Sequence, residues 1–440
     1  MREMKDSGIE WIGEIPADWE TRKIKQLADS NTENSFVDGD WIESPYIVDS
    51  GIRYLTTGNI GDGVFKEQGN GYITLKTFGE LACKYAFPGD LIISRLNAPY
   101  GRSCILPSDY TEYVVAVDNV ILRTQEDKRY ICYVSQCDGY KHAVEDDAKG
   151  TTMKRISRIN LGNIVIPLPP IQQQHRIADY LDRKCSQIDS IITRQQEVIE
   201  KLKAYKLSVI TEAVTKGLNP HVPMKDSGVD WIGEIPDFWN VVPLKTCSDI
   251  LPGYAFSSDD FDTEDGTALL RGINVTPNGV RWEDVVYWNK PITEQLRAFE
   301  LVAGDIVVGL DRPWVSEGTR VCWVTQKDLP ALLLQRVCRI RAKENIDSRW
   351  IYHWIASKSF QEALSIETTG VSVPHISTKQ IGQFNITLPP IEVQCQICDI
   401  LEAKHYSINK IVSKKQAIID KLTEYKKSLI YEVVTGKKEV

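Results

Sequence analysis

Two kinds of hydrophobic pattern alternate along the chain. From about residue 20 to 160, and again from 240 to 380, short apolar runs such as Leu91-Ile92-Ile93 and Val114-Val115-Ala116-Val117 are separated by Gly, Pro, Asn and Asp turn signals. Runs of this length rich in β-branched residues predict strands, and the density of turns predicts globular domains that mix strand and helix. Helical spacing predicts one further helix in each stretch, over 130–141 and 349–364. After each Leu-Pro-Pro the period changes. Ala178, Leu181, Cys185, Ile188, Ile192, Ile199, Leu202, Val209 and Ala213 fall on alternating three- and four-residue steps. Cys398, Leu401, His405, Ile408, Val412, Ile419, Leu422, Leu429 and Val433 repeat those steps, with Lys415 and Lys426 as polar interruptions. Each seam predicts a helix of about 45 residues, roughly 65 to 70 Å long at the α-helical rise, and two such seams suit each other as a coiled coil. The proline pairs fix where the helices begin, since proline is tolerated in a first turn and disfavours helix in the residue before it.

The two stretches are copies of one another. Met4-Lys5-Asp6-Ser7-Gly8-Ile9-Glu10-Trp11-Ile12-Gly13-Glu14-Ile15-Pro16 recurs as Met224-Lys225-Asp226-Ser227-Gly228-Val229-Asp230-Trp231-Ile232-Gly233-Glu234-Ile235-Pro236, at an offset of 220 in the numbering. Leu168-Pro169-Pro170-Ile171 recurs at the same offset as Leu388-Pro389-Pro390-Ile391, and so do Lys201, Leu202, Tyr205, Lys206 and Ser208 as Lys421, Leu422, Tyr425, Lys426 and Ser428. Between these anchors the copies have drifted: Gly89-Asp90-Leu91-Ile92-Ile93 aligns with Gly304-Asp305-Ile306-Val307-Val308 at an offset of 215. So long a period excludes a solenoid, whose units run to about 20 to 50 residues. The expected organisation is a domain over 1–167, a long helix over 168–217, a second domain over 218–387 and a second long helix over 388–440.

Composition adds three constraints. A chain of 440 residues exceeds what one core usually supports, and 42% hydrophobic with 25% charged residues argues against extended disorder. No run of about 18 apolar residues occurs and the first six residues are too polar to open a secretory leader, so a cytoplasmic protein without membrane spans is expected. Eight of the ten cysteines, Cys83, Cys104, Cys132, Cys137, Cys185, Cys247, Cys322 and Cys338, read as reduced and mostly buried. The net charge of -8 counts against a uniformly basic DNA-binding face; a DNA reader of this composition has to concentrate its cations in a few loops.

Two diverged domains alternating with two near-identical helical segments resemble, along essentially the whole chain, the specificity subunit of type I restriction-modification enzymes. The resemblance is carried by the Ile-Pro-x-x-Trp opening (Ile15, Pro16, Trp19; Ile235, Pro236, Trp239), the Gly-Asp-x-(Ile/Val) strand (Gly89, Asp90; Gly304, Asp305) and Leu-Pro-Pro-Ile. Gly150-Thr151-Thr152-Met153-Lys154-Arg155-Ile156-Ser157 and Gly370-Val371-Ser372-Val373-Pro374-His375-Ile376-Ser377 also resemble the end of that family's target-recognition domain. One departure is Gln172-Gln173-Gln174 and Glu392-Val393-Gln394 where the family often has Glu-Gln after the prolines. The resemblance implies a mixed α/β fold, more narrowly α+β: two target-recognition domains separated by two long helices paired as an antiparallel coiled coil, with pseudo-twofold internal duplication. It implies a non-catalytic subunit reading a bipartite, asymmetric site in double-stranded DNA, one half-site per domain. Two methyltransferase subunits would bind the helical region and bring S-adenosylmethionine, and motor-nuclease subunits, joined through them, would bring ATP and Mg²⁺. No cofactor or metal is expected in this chain, which lacks Gly-x-x-x-x-Gly-Lys-(Ser/Thr) and Asn-Pro-Pro-(Tyr/Phe).

Side chains able to read base edges are expected in turns that follow strands. In the first domain these are Asn59, Arg95, Asn97, Arg102, Lys154 and Arg155; in the second, Arg271, Asn274, Arg312, His375 and Lys379. Arg pairs bidentately with guanine and Asn with adenine, whereas Lys more often holds phosphate. Cys395, Cys398 and His405 resemble part of a zinc set, but the first copy offers His175, Ala178 and Cys185, so helix packing explains them better. Trp11, Trp19, Trp231 and Trp239 read as core anchoring each domain to its helices rather than as base-stacking platforms. Two rival classes remain: a coiled-coil adaptor that binds proteins and no DNA, and a hydrolase or nuclease using Asp90 and Asp305, for which a turn role is the better reading.

Overall fold

The computed structural model describes residues 2–150, 154–277, 279–315, 318–366 and 374–440. The chain divides into two compact units, 1–194 with 417–440 and 195–416, so each unit takes part of both long helices. Those helices run Ile171–Lys216 and Ile391–Val434.

In unit 1 an antiparallel four-stranded sheet is ordered Phe36–Asp38, Asn119–Leu122, Leu91–Ser94, Ser103–Ile105. A three-stranded sheet, Tyr72–Ile73, Ile52–Leu55, Tyr113–Val115, contains one parallel pair. The short strand Glu20–Lys23 pairs antiparallel with Val165–Leu168, which closes the domain immediately ahead of the proline pair. The expected single helix over 130–141 is two, Lys128–Ser135 and Asp138–Asp146. The second copy is broken in the same way into Ser348–Ala356 and Lys358–Ile366, because the Ser357 hydroxyl donates to the Trp354 carbonyl (2.6 Å) and accepts from the Phe360 amide (3.2 Å). Periodicity alone does not reveal such a break, since both halves keep an apolar face.

Unit 2 repeats the plan: Ser248–Pro252, Val337–Ala342, Ile306–Gly309 and Val321–Trp323 form its four-stranded sheet, and Asn240–Pro243 pairs with Asn385–Leu388. A second four-stranded sheet holds Phe261–Asp262, Tyr287–Trp288, Thr267–Leu270 and Ala331–Leu333.

Within each unit the two helix segments run antiparallel. In unit 1 the Tyr130 hydroxyl donates to the carbonyls of Pro167 (2.9 Å) and Val434 (3.1 Å), bringing the start of one helix to the end of the other, and Lys426 reaches Asp189 further along (2.7 Å). In unit 2 Lys415 donates to Gln195 (2.9 Å) and Lys206 to Asn409 (3.4 Å). The seam residues are buried or half-buried, with Ala178, Leu181, Cys398 and Leu401 fully so. Lys415 and Lys426 are therefore not bare interruptions, since each meets a polar partner on the other helix.

The helix start is locked to its domain by the same contacts twice. Gln174 accepts the Asp127 amide (3.0 Å) and donates to the Pro169 carbonyl (2.8 Å); Gln394 does the same with Asp347 (3.0 Å) and Pro389 (2.8 Å). Asp127 and Asp347 in turn cap the following helices, and Arg129 and Arg349 bridge them to Asp179 and Asp399 on the long helices. Trp19 and Trp239 are buried against this junction and the half-buried Trp11 packs on Tyr431 of the long helix (6.4 Å), as expected of anchors, whereas Trp231 is 38% exposed and stacks on Phe384 at 5.7 Å.

Candidate functional site

Four of the residues expected to read bases point inward. Asn59 is buried; its amide donates to the carbonyls of Lys66 (3.0 Å) and Gln68 (2.8 Å), and its oxygen accepts the Thr56 amide (2.9 Å). Asn274 makes the corresponding bonds, to Arg281 (2.8 Å), Glu283 (3.4 Å) and the Arg271 amide (3.0 Å). Both amides are consumed in closing a loop, which leaves no edge for adenine. Arg95 donates to the carbonyls of Ile156 (3.0 Å) and Val117 (2.6 Å) and pairs with Asp38 (3.1 Å). Unit 2 places the buried Leu310 at this position: Ile156 donates its amide to Arg95 as Ile376 does to Leu310. Arg102 donates to the carbonyls of Ile60 (2.6 Å), Asn97 (2.7 Å) and Thr57 (2.9 Å), holding two loops together. Burial draws both guanidinium groups down from their ordinary value, because the charge is held away from water. These four corrections share one reason: a turn residue with several hydrogen-bonding atoms is as useful for closing the turn as for facing out of it. Arg271 is intermediate, with its guanidinium on the Asp284 carbonyl and its Nε buried without a partner among the described residues.

Of the remaining candidates, Asn97, Lys154, Arg155, Arg312 and His375 collect at one tip of each domain, where the strands Leu91–Ser94 and Ile306–Gly309 end. In unit 1 Asn97 is exposed with a left-handed backbone (φ 62°). Beside it Leu96 bridges to Arg155, and Arg155 exchanges two backbone hydrogen bonds with Lys149 (3.0 Å each). Lys149, Lys154 and Arg155 are all exposed, and Arg155 reaches Asp118 at 3.3 Å. In unit 2 Arg312 takes the place of Asn97, also exposed and left-handed (φ 45°), and His375 takes that of Arg155. His375 contacts Asp311 (2.6 Å), which also receives Arg336 (3.0 Å). Burial raises the Asp311 carboxyl, but the His375 hydrogen bond and the Arg336 charge outweigh it and hold it below its ordinary value. Sequence reasoning does not find Arg336, 73% exposed on its side chain, or Lys149, or Arg320, the inward counterpart of Arg102, which donates to the Val275 and Asp311 carbonyls (3.2 Å each). A search for cations opening or closing strands would have found Arg336, directly ahead of Val337–Ala342. Lys379 is exposed elsewhere, beside Lys245 and Lys343. Thr151, Thr152, Met153 and Gly370 to Val373 of the expected domain-end motifs lie outside the described residues.

Each tip thus presents planar or forked donors at a strand end, an arrangement suited to groove edges and phosphates. The Gly-Asp motif does not supply a catalytic carboxylate. Gly89 and Gly304 take left-handed turns (φ 82° and 95°), and each Asp is buried behind them. Asp90 accepts the Phe87 amide (3.0 Å) and Arg123 (3.1 Å); Asp305 accepts the Val302 amide (2.8 Å) and Arg341 (2.7 and 2.8 Å). Their oxygens are spent on the turn. All ten cysteines are free, and His405 packs edge-on against His353 with centroids 5.4 Å apart. No helix among the described residues is long and apolar enough to cross a membrane.

Comparison with known proteins agrees with this construction. Residues 16–201 and 236–421 each match the type I restriction modification DNA specificity domain. The Type I restriction enzyme MjaVIII specificity subunit of Methanocaldococcus jannaschii is 31% identical over 295 residues, 67% of either chain. The putative type I restriction enzyme MjaX specificity subunit of the same organism is 25% identical over 447 residues, covering 97% of this chain and 95% of that one. A solved chain, from work on complex assembly and conformational transition of the type I R-M system, shares the fold at a TM-score of 0.71 and 15% identity, over 96% of this chain and 99% of that one. With both halves matched over most of its length, the chain belongs to the type I restriction modification DNA specificity family.

Proposed function

We propose that this chain is the sequence-reading subunit of a type I restriction-modification complex, and that each unit reads one half of a bipartite, asymmetric site in double-stranded DNA. The observation that carries the reading is the pair of tips: the Asn97 and Arg312 turns are both left-handed and two backbone hydrogen bonds recur, the Arg95 and Leu310 amides to Asp118 and Arg336 and the Ile156 and Ile376 amides to Arg95 and Leu310, while Asn97, Asp118 and Arg155 of one become Arg312, Arg336 and His375 of the other. A duplicated scaffold that keeps its geometry and changes its donors is what two different half-sites require. The net charge of -8 is compatible with this, since cations need only be concentrated at the tips and partners can supply further phosphate contacts.

The methyl transfer and cleavage chemistry belongs to partner subunits: methyltransferase subunits, two per chain, carrying S-adenosylmethionine, and motor-nuclease subunits that join through them with ATP and Mg²⁺. The long helices offer such partners a surface. Ile191, Val198 and Tyr205 are exposed at seven-residue spacing, and Ile411, Ile418 and Tyr425 stand at the equivalent positions of the second copy. Apolar side chains repeated on that period outside a filled seam suit further helices laid alongside. The adaptor reading is set aside because the family matched is a DNA specificity domain.

The test is to co-express the chain with its methyltransferase subunit and map adenine methylation across genomic DNA by single-molecule sequencing. A bipartite motif that changes in one half when residues 20–160 are exchanged supports the reading. A complex that forms but methylates no defined motif, with no salt-sensitive DNA binding, refutes it.

A further inference from the structure

Unit 2 contains a cavity of about 140 Å³, partly open to solvent, between its two long-helix segments, the helix Ser348–Ala356 and the strand Val321–Trp323. Its volume is close to that of an apolar cavity that accepts benzene, about 150 Å³. Leu207, Ile210, Tyr352 and Ile408 supply apolar walls, and no described Asp or Glu lines it. Its polar groups are short of partners among the described residues. The Lys206 ammonium has a single long hydrogen bond, to Asn409 (3.4 Å), and its pKa is drawn down by burial. The Thr319 hydroxyl, in a residue 3% exposed, has no hydrogen-bond partner there. Nor has His405 Nε2, and behind it both ring nitrogens of the buried His353 are unpaired.

Unit 1 serves as the internal control. Lys426, the repeat equivalent of Lys206, pairs with Asp189 at 2.7 Å, and Asp189 is the repeat equivalent of Asn409. Tyr133, the counterpart of His353, donates to Asp182 (2.7 Å). The acid that neutralises the lysine in unit 1 has become an amide in unit 2, and the half-buried ammonium faces the cavity with no counter-ion among the described residues. An unpaired charge in such a place is costly unless something neutralises it.

We propose that this cavity is a binding pocket for a small apolar monocarboxylate, an aromatic or branched aliphatic acid about the size of benzoate, whose carboxylate takes the place of the missing acid beside Lys206. Lys203 also lines the cavity, but its ammonium already pairs with Glu200 (3.2 Å), so the Lys206 ammonium and one hydroxyl donor are left to match a single carboxylate; a phosphate dianion would bring a second charge against apolar walls and leave those walls uncovered. The ligand braces the helix Ser348–Ala356 against the helix pair of unit 2.

The test is isothermal titration of the full chain with sodium benzoate and, as neutral isostere, benzamide. Benzoate is expected to bind with a stoichiometry of one despite the duplicated fold, at least tenfold more tightly than benzamide. Asn409→Asp rebuilds the pair found in unit 1, so it is expected to weaken benzoate at least tenfold while the thermal midpoint stays level or rises; Thr319→Val is expected to weaken it more modestly. Because Asn409→Asp supplies a counter-ion rather than removing a group, it reads binding even if Lys206→Met fails to fold. Equal binding of benzoate and benzamide, unchanged benzoate affinity in Asn409→Asp, or no heat at millimolar benzoate overturns the proposal.

Discussion

Replacing Arg102 by Met separates a turn-closing residue from a base reader. The Arg102 side chain sits almost wholly inside unit 1, and its three short hydrogen bonds reach Ile60, Asn97 and Thr57 across loops 42 and 45 residues upstream and 5 residues upstream in sequence. Two weaker ones reach Leu96 (3.3 Å) and Pro99 (3.2 Å). Met keeps much of the volume and removes all five donors. A hydrogen bond from a charged donor contributes about 1.5 to 3 kcal/mol, and a buried acceptor left unsatisfied costs about 1 to 3 kcal/mol. Two effects offset this: the desolvation of the guanidinium is relieved, and water reaches Asn97 and, in part, Thr57. The net loss expected is about 3 to 5 kcal/mol, confined to unit 1.

Hydrogen exchange read by mass spectrometry locates the effect. Peptides over 52–60 and 91–105 should lose protection in Arg102→Met, while those over 267–275 and 306–323 of unit 2 should not change. Arg155→Ala is the matched control: at 57% side-chain exposure with one long ion pair it should alter stability by no more than about 0.5 kcal/mol. If Arg102→Met retains its exchange protection and denaturation midpoint and yet loses DNA recognition, Arg102 is a reader and the division into inward and outward residues is wrong.

Arg312→Ala and Arg336→Ala should each relax discrimination in the second half-site alone by about 1 to 3 kcal/mol, seen as degenerate positions in one half of the methylation motif. Asp305→Asn should destabilise unit 2 by about 2 to 4 kcal/mol, because Arg341 and the Val302 amide lose a buried acceptor, and a urea titration should show the same loss with and without chelator. Burial, then the neighbouring imidazole of His405, pulls His353 down to about 3, and burial pulls His405 down to about 4. The unfolded chain therefore takes up these protons first: their contribution is fully present above about pH 6.5 and is lost as pH falls towards 4. The denaturant midpoint of the wild type should drop between pH 7 and 5, and His353→Phe should flatten that drop; equal slopes would place the acid sensitivity elsewhere.

Much of the architecture was legible because it is written in period and repeat. The seam from Ala178 to Ala213 needs no tertiary information beyond a three- and four-residue step, and the structure buries it accordingly. What the pattern could not supply was the direction of polar side chains in turns. Asn59 and Asn97 are both turn asparagines a strand apart, but the first faces two carbonyls and the second faces solvent. Arg95 has the chemistry of a reader, yet Leu310 occupies its place in unit 2, and Arg336 gives no repeat signal because its counterpart, Asp118, carries the opposite charge. Sequence spacing shows that such residues lie near a turn; only the hydrogen-bond accounting shows which of them remain free.

The duplication itself supplies a rule for telling scaffold from readout. Where both chemistry and geometry recur, as in Asn59 and Asn274, Gln174 and Gln394, or Asp90 and Asp305, the residue satisfies a buried group that the fold always exposes. Where the geometry recurs and an exposed side chain changes its chemistry, that side chain is free to differ with little cost to the fold. Asn97 and Arg312 share a left-handed turn, the Arg95 amide donates to the Asp118 carbonyl as Leu310 does to Arg336, and Arg155 and His375 occupy the same bridge. Exchanging Asn97→Arg, Asp118→Arg and Arg155→His should therefore leave the stability of unit 1 nearly unchanged while altering the first half of the methylated motif and leaving the second intact. The exchanges at 97 and 155 are between exposed side chains on a backbone that unit 2 repeats with the replacement in place; at 118 the side chain is on the rim and the backbone differs, Arg336 being left-handed (φ 66°) and Asp118 not, so any cost of the triple variant is expected from that position. If the triple exchange folds and the motif is unaltered, the tips are not where the two units differ in what they read.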